Sequence, residues 1–134
     1  MRKDDSRIKP VITIWAQEKG RMNNGQYEWS FGGGDTHQLG GYCMSVSGRI
    51  LRGSISCADA TGSSSDTIDS ASVSVVINGR VNTNILVKPA GKYSFTTTFI
   101  PPVEVAQNDV INFRSNSNNN MSCHVASLLI QLDL

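Results

Sequence analysis

Acidic residues close to aromatic residues are the first candidates for chemistry in this 134-residue chain. Glu18, Glu28 and Asp35 form such a cluster, and two carboxylates that flank a cleft are the machinery of glycoside hydrolysis. Glu28 alternates with Tyr27 and Trp29, however, so in a strand its side chain lies on the face opposite the aromatic rings. The pattern is typical of an exposed strand residue, and we predict no catalytic residue here.

Cysteine and histidine residues are the next candidates, because both bind metals. The chain has three cysteines, Cys43, Cys57 and Cys123, without a Cys-x-x-Cys pair, and His124 follows Cys123 directly. Adjacent residues of a strand point to opposite faces, so Cys123 and His124 are poorly placed to bind one ion. The odd number also argues against a disulfide framework. We predict no metal and no cofactor, and a chain that folds in reducing cytosol.

Three loops carry weaker signals. His37 has no accompanying Gly-x-Ser-x-Gly nucleophile motif, and residues 32–34, a run of three glycines, lack the Lys-Ser/Thr pair of a phosphate-binding loop. Aspartates in the 58–70 loop supply oxygen ligands of the kind calcium prefers, but not at EF-hand spacing, which leaves a calcium ion there an open question. These aspartates are Asp59, Asp66 and Asp69.

Side chains that alternate between apolar and polar predict the elements that must position any site. Such alternation, of period two, indicates half-buried strands and occurs in runs at residues 11–16, 26–31, 49–57, 73–77, 81–87, 93–99, 111–113 and 125–134. Asn78-Gly79 predicts a tight hairpin turn. A second turn is predicted at 107–109, and Pro101-Pro102 is expected to end the strand before it. Most of these runs are separated by Gly-, Ser- or Asn-rich loops, and none has helical periodicity.

Composition supports the same fold class. Apolar residues make up 39% of the chain and charged residues 17%, with a net charge of +1, which gives no field to attract nucleic acid or a membrane surface. No apolar run is long enough to span a bilayer. We therefore predict an all-β, antiparallel β-sandwich of about eight strands over residues 11–134, preceded by a polar arm over residues 1–10. The closing strand runs to the last residue of the sequence, which implies that a central position in a sheet or an interface holds it.

Several segments resemble known families. The opening strand with Trp15, the Tyr27-x-Trp29-x-Phe31 strand, the turn and strand over residues 108–113 and the closing strand are similar to jelly-roll domains of the tumour necrosis factor and complement globular-head type. Segments 14–16, 27–32 and 111–115 also resemble small virion proteins of tailed bacteriophages. The resemblance implies a jelly-roll homotrimer, made in the host cytoplasm and located on the virion surface as a capsid-decoration or fibre-tip module.

The resemblance implies a non-enzymatic protein whose partners are its own copies and other virion proteins. A carbohydrate-binding module that recognises a host glycan is the alternative, and a small glycan hydrolase is a third. Aromatic residues of the early strands, Trp15 included, are expected to be buried. Core or trimer-interface candidates are Tyr93, Phe95, Phe113, Leu128, Ile130 and Leu132, and ligand-loop candidates, whose amides pair with sugar hydroxyls, are Asn23, Asn24, Asn118, Asn119 and Asn120.

Overall fold

The structure, a computed structural model, describes residues 8–18, 27–28, 30–31, 41–59, 71–88, 94–115 and 121–134. Within these ranges the chain forms strands and turns and no helix. The strands are β1 (Val11–Glu18), β2 (Tyr27–Glu28), β3 (Ser30–Phe31), β4 (Tyr42–Cys43), β5 (Gly48–Asp59), β6 (Ala71–Ile77), β7 (Arg80–Lys88), β8 (Ser94–Val105), β9 (Val110–Ser115) and β10 (Met121–Leu132). The described part of the chain thus contains no helix long and apolar enough to cross a membrane.

The first sheet has the strand order β3-β1-β10-β5-β8, and its pairs are antiparallel. The closing strand β10 lies between β1 and β5, which is the central position in a sheet that we predicted as one of two possibilities. Its end is fixed by backbone hydrogen bonds, because the Leu132 N–H donates to the Pro10 carbonyl (2.8 Å) and the Asp133 N–H donates to the Ser47 carbonyl (2.9 Å).

The second sheet has the order β2-β9-β6-β7, and β4 pairs with β9 beside this path. The predicted hairpin is confirmed: β6 and β7 are joined by Asn78 and Gly79, whose φ angles of 52° and 78° suit the residues that best tolerate a positive φ. The predicted second turn is also present, with Asn108 at a φ of 73°.

The hydrophobic core fills the space between the two sheets. The first sheet contributes Ile14, Ala16, Ile50, Ile55, Phe99, Val103, Val105, Ala126, Leu128 and Ile130, and the second contributes Val73, Val75, Ile111 and Phe113. Met44, just after β4, completes this buried set. The alternating apolar side chains therefore meet face to face, and the predicted all-β, antiparallel β-sandwich is confirmed.

Two strand predictions were wrong, and the first concerns the prolines of β8. Pro101-Pro102 does not end the strand, which continues from Ser94 to Val105 with a cis peptide bond between Ile100 and Pro101. The register to β5 jumps from Ile50↔Val103 to Arg52↔Thr98, so the prolines lie where the ladder is interrupted. β8 is also the end strand of its sheet, where a missing N–H is tolerated.

The second correction concerns residues 26–31, which we predicted to form one strand. The structure has two short strands there: β2 pairs with β9 in the second sheet, and β3 pairs with β1 in the first. The chain crosses from one sheet to the other at this point, which two-residue periodicity cannot reveal because both strands keep the extended backbone.

The turn between β8 and β9 is tied to the β6–β7 hairpin by side chains. The Asn78 amide donates to Asp109 Oδ1 (2.8 Å), and Asn78 Oδ1 accepts from the Val110 N–H (2.9 Å). Asp109 Oδ2 accepts from the Ala106 N–H (2.7 Å). The Ala106 N–H and then the Asn78 amide hold the pKa of Asp109 below its ordinary 3.8. The ionised carboxylate therefore stabilises this end of the sandwich.

Asp109→Asn is expected to destabilise the fold by about 0.5–1 kcal/mol at neutral pH, the net value of an exposed hydrogen bond. Because the pKa of Asp109 is lowered by folding, its contribution is present above 3.8 and is lost as the pH falls through the folded-state pKa. Urea titrations at several pH values test this, with Glu104→Gln as a control for loss of charge. A difference between Asp109→Asn and wild type that does not shrink in acid would contradict a charge-dependent role.

Candidate assembly surface

One side of the first sheet is turned away from the core, and we name this side the outer face. Because paired residues of antiparallel strands share a side, the register Val11↔Gln131, Thr13↔Leu129 and Trp15↔Ser127 places these six residues together on it. Residues of β5 and β8 also lie on the outer face, as the pairs Arg49↔Glu104, Arg52↔Thr98 and Ser54↔Thr96 show. Four adjacent strands therefore present one continuous surface.

Trp15 lies on this face, which corrects the expectation that it would be buried. Its neighbours in β1, Ile14 and Ala16, are paired with Leu128 and Ala126 in the core, so Trp15 points the opposite way and 43% of it is exposed. The sequence predicted the strand correctly but assigned its aromatic residue to the wrong face. Single exposed apolar residues are ordinary on a protein surface, so the question is whether the indole belongs to a larger apolar patch.

Aliphatic side chains surround the indole on the same face. Val11 is 51% exposed and Val125 is 37% exposed, and Leu129 is half-buried between them. Sequence reasoning missed these three residues as surface candidates. The sequence did contain one indication of this surface, because Leu129 interrupts the alternation of the closing strand. Leu129 lies on the same face as Val125 and Ser127, whereas Leu128 and Ile130 lie on the core face. Apolar area thus runs along β1 and β10.

Hydroxyl side chains cover the other half of the outer face, on β5 and β8. Ser56, Thr96 and Thr98 are exposed, and the hydroxyls of Ser54 and Thr96 lie 3.0 Å apart. These side chains are short, so this half has little relief apart from Arg52, which is exposed between Leu129 and Thr98. The outer face therefore combines a raised apolar half and a hydroxyl half with an arginine at its boundary, a composition that suits contact with another protein surface.

The charges at one end of the outer face are mutually paired. Arg49 Nε lies 3.3 Å from Glu104 Oε2, and its terminal nitrogens lie 3.2 Å from Gln131 Oε1 and 3.8 Å from Asp133 Oδ1. Lys9 Nζ lies 3.6 Å from the same Asp133 oxygen. Exposed ion pairs of this kind add little stability. Arg52 has no part in this group, and its exposed charge lies next to Leu129 of the apolar half.

The opposite side of the sandwich is different, because part of the second sheet is covered there. Ser74 and Val76, which point away from the core, are buried, and Asn112 Oδ1 is enclosed without a hydrogen-bond partner. Gly41 lies so close that a Cβ on it would be 2.6 Å from Asn112 Oδ1. Of the two outer surfaces, that of the first sheet is therefore the open one among the described residues.

The structure separates the predicted core and interface candidates. Phe113, Leu128 and Ile130 are fully buried between the sheets, and Leu132 is partly buried against the same core. Phe95 is 39% exposed at the edge strand β8. Tyr93 lies outside the described residues. The three fully buried residues are enclosed by their own protomer, so they are not available for contact with another copy.

The possible metal ligands come from three different strands. Cys43, in β4, is exposed. The backbones of Cys57, Cys123 and His124 meet at an irregularity in the β5–β10 ladder, because Ala58 pairs with Ser122 and Ser56 pairs with Val125, leaving Cys57 opposite two residues. Among the described side chains, no three His, Cys, Asp or Glu residues lie close enough to hold a metal ion.

Other candidates lie outside the described residues. These are the amide-rich ligand loops (Asn23, Asn24, Asn118, Asn119 and Asn120), the residues His37, Asp35, Trp29, Asp66 and Asp69, and the glycines at 32–34. Glu18, Glu28, Tyr27, Phe31 and Asp59 are described only as strand backbone.

Comparison with known proteins gives one similarity. No family model matches the sequence, and no curated protein matches it. Among solved structures, the chain is similar to one titled the acidic stable capsid structure of Helicobacter pylori bacteriophage KHP30, with 18% identity over 93% of this chain and 94% of that chain and a TM-score of 0.48. A similarity at this level does not assign a function.

Proposed function

We propose that this protein is a non-enzymatic structural protein of a tailed bacteriophage, which assembles as a homotrimer on the virion surface. The observation that carries the proposal is the outer face, where Trp15, Val11 and Val125 are exposed side by side on a regular sheet. Such a surface is suited to burial against protein. The virion setting rests on the resemblance of segments 14–16, 27–32 and 111–115 to small phage virion proteins.

The size of the outer face agrees with an assembly role. Four strands about 4.8 Å apart and eight residues long at about 3.4 Å each cover roughly 500 Å² as a flat surface, before side-chain relief is counted. A standard interface takes about 800 Å² from each partner. The outer face alone therefore supplies more than half of one such contact. In a closed trimer each protomer contacts two neighbours, so the rest of the buried area comes from other surfaces of the protomer.

The strand order supports a jelly roll as the type of sandwich. From β1 to β10, every connection except the β6–β7 hairpin leads from one sheet to the other. Jelly rolls have this repeated crossing between sheets, whereas meanders keep successive strands in one sheet. A jelly roll is also the domain type that the sequence resemblance implies for a trimer.

A second candidate function is recognition of a host glycan at a fibre tip. The observation that favours it is the same exposed indole, since Trp15 is paired with Ser127 and has Thr13 on its own face. An aromatic ring beside hydroxyl groups can stack on a sugar and bind its oxygens. The aliphatic residues Val11, Val125 and Leu129 around the ring favour protein contact over a sugar ligand.

Two binding assays distinguish these functions. We expect the purified protein to give no signal on a glycan array and to co-sediment with empty capsids made from the major capsid protein of the same genome. We also propose that the polar arm over residues 1–10 attaches the domain to the virion. Deletion of residues 1–7 is expected to abolish co-sedimentation with capsids, and it retains Lys9 and Pro10, which contact the end of β10. Glycan binding that Trp15→Ala abolishes, without capsid binding, would replace the proposal by its alternative.

A further inference from the structure

The edge of the first sheet carries a second surface, formed by the free backbone edge of β8 and distinct from the apolar half of the outer face around Trp15. β8 is the end strand of the sheet and pairs with β5 on one side only among the described strands. Its residues 94–99 contain neither a charge nor a proline, and five of the six are not buried. Edge strands normally avoid pairing with other chains by means of charges, prolines or bulges. In β8 only the end at Pro101-Pro102 is protected in this way.

The sequence of this open edge is symmetric. Residues 95–99 read Phe-Thr-Thr-Thr-Phe in either direction, with Thr97 at the centre. When two copies of a strand pair antiparallel about a two-fold axis through Thr97, Phe95 of one copy lies opposite Phe99 of the second copy, and Thr96 lies opposite Thr98. Aromatic pairs and threonine pairs are both favourable across antiparallel strands.

The two faces of the strand fit this pairing. Phe95 is paired with the buried Ile55, so it lies on the core side of the sheet, yet it is 39% exposed because none of the described strands follows at this edge. A second copy of β8 would cover it. Thr96 and Thr98 lie on the outer face and are exposed, so their pairs would remain at the surface.

Charge and geometry also favour a second copy as the occupant. The segment 94–100 is uncharged, so two-fold pairing opposes no like charges, and Glu104, the nearest described carboxylate along β8, is already paired with Arg49 at 3.3 Å. Ile100, which is 88% exposed, would lie opposite Ser94 of the second copy at the end of the paired region.

We propose that two copies of this protein associate through β8, in antiparallel register centred on Thr97, to join their first sheets into one continuous sheet. The contact is isologous, and it is separate from Trp15 and the apolar half of the outer face. If the protein is a trimer, this contact links one trimer to another. If it is a monomer, the contact produces a dimer, so the inference stands independently of the proposed trimer.

Light scattering over a range of concentrations tests the pairing on the full chain. Wild type is expected to double its mass as concentration rises. Thr96→Lys with Thr98→Lys opposes lysines at two positions and should abolish the doubling. Thr96→Lys with Thr98→Glu opposes lysine to glutamate at the same two positions and should retain it. Gln107→Lys, at an exposed position in the β8–β9 turn and away from the outer face, is the control for added charge and should have no effect.

Mixing two oppositely charged variants gives the decisive test of the register. The double-lysine variant and a double-glutamate variant, Thr96→Glu with Thr98→Glu, should each fail to double alone and should associate when mixed. Thermal melts confirm that each variant is folded. Doubling that persists in the double-lysine variant, or loss of doubling in the Lys/Glu variant as well, would overturn the proposed register.

Discussion

Phe113→Ala is expected to lower the free energy of unfolding by about 3–5 kcal/mol, the usual cost of removing a fully buried aromatic side chain from a core. Phe113 lies in β9 opposite Val75, has no exposed surface and is among the largest side chains enclosed between the sheets. Its removal leaves a cavity that two paired sheets cannot close without disturbing their ladders. Urea titration followed by circular dichroism measures the change.

Phe95→Ala is the matched control, because it removes the same ring from an edge position that is partly exposed. A loss well below that of Phe113→Ala is expected. A domain of this size has a total stability of about 5–15 kcal/mol, so Phe113→Ala can unfold it, and Phe113→Leu provides a milder variant. Equal losses at the two positions would contradict the core described above.

Trp15→Glu is expected to convert the proposed trimer to a monomer while the protomer stays folded. The indole projects from the outer face and the core beneath it belongs to Ile14 and Ala16, so the substitution leaves the core intact. In the assembled trimer it would place a charge in apolar surroundings, which is strongly unfavourable without a partner. Analytical ultracentrifugation measures the mass, and circular dichroism reports the fold.

Val81→Glu is the control for this change. Val81 is an exposed apolar residue of β7, on the other sheet, so it tests whether any added charge disperses the assembly. It should leave the mass unchanged. Dissociation by both substitutions, or by Val81→Glu alone, would indicate that the interface lies elsewhere.

Strand positions and the core face of β10 were predictable because side-chain periodicity directly records which residues share a face. The alternation correctly placed Leu128 and Ile130 inward, and Asn78-Gly79 located the hairpin because that turn requires positive φ angles. These are local properties. They depend on each strand and not on which strands become neighbours.

The outer face could not be predicted because it depends on which side of β1 and which side of β10 turn toward the core when the two strands pair. In β1 both parities carry apolar residues, with Ile12, Ile14 and Ala16 on one side and Val11 and Trp15 on the other. Only pairing with β10 decides which side faces the core. The residue spacing similarly could not show that residues 26–31 divide between two sheets. A chain that leaves one sheet for the other keeps its extended backbone, so its side chains still alternate with a period of two.

The proline segment of β8 was misjudged because a proline disrupts a strand only where its N–H is needed. Pro101 and Pro102 lie at an end strand and opposite a register jump, and neither position is visible in the sequence. The free edge that made the prolines tolerable is the same edge on which the palindromic segment is exposed.

The central claim is that the outer face around Trp15 joins three copies, and the mass of the unmodified protein in dilute solution tests it most directly. We expect a mass near three times 14.5 kDa that persists on dilution. A stable mass of one protomer, with the domain folded, would contradict it and would leave the Trp15 surface as a ligand-binding face of a single sandwich.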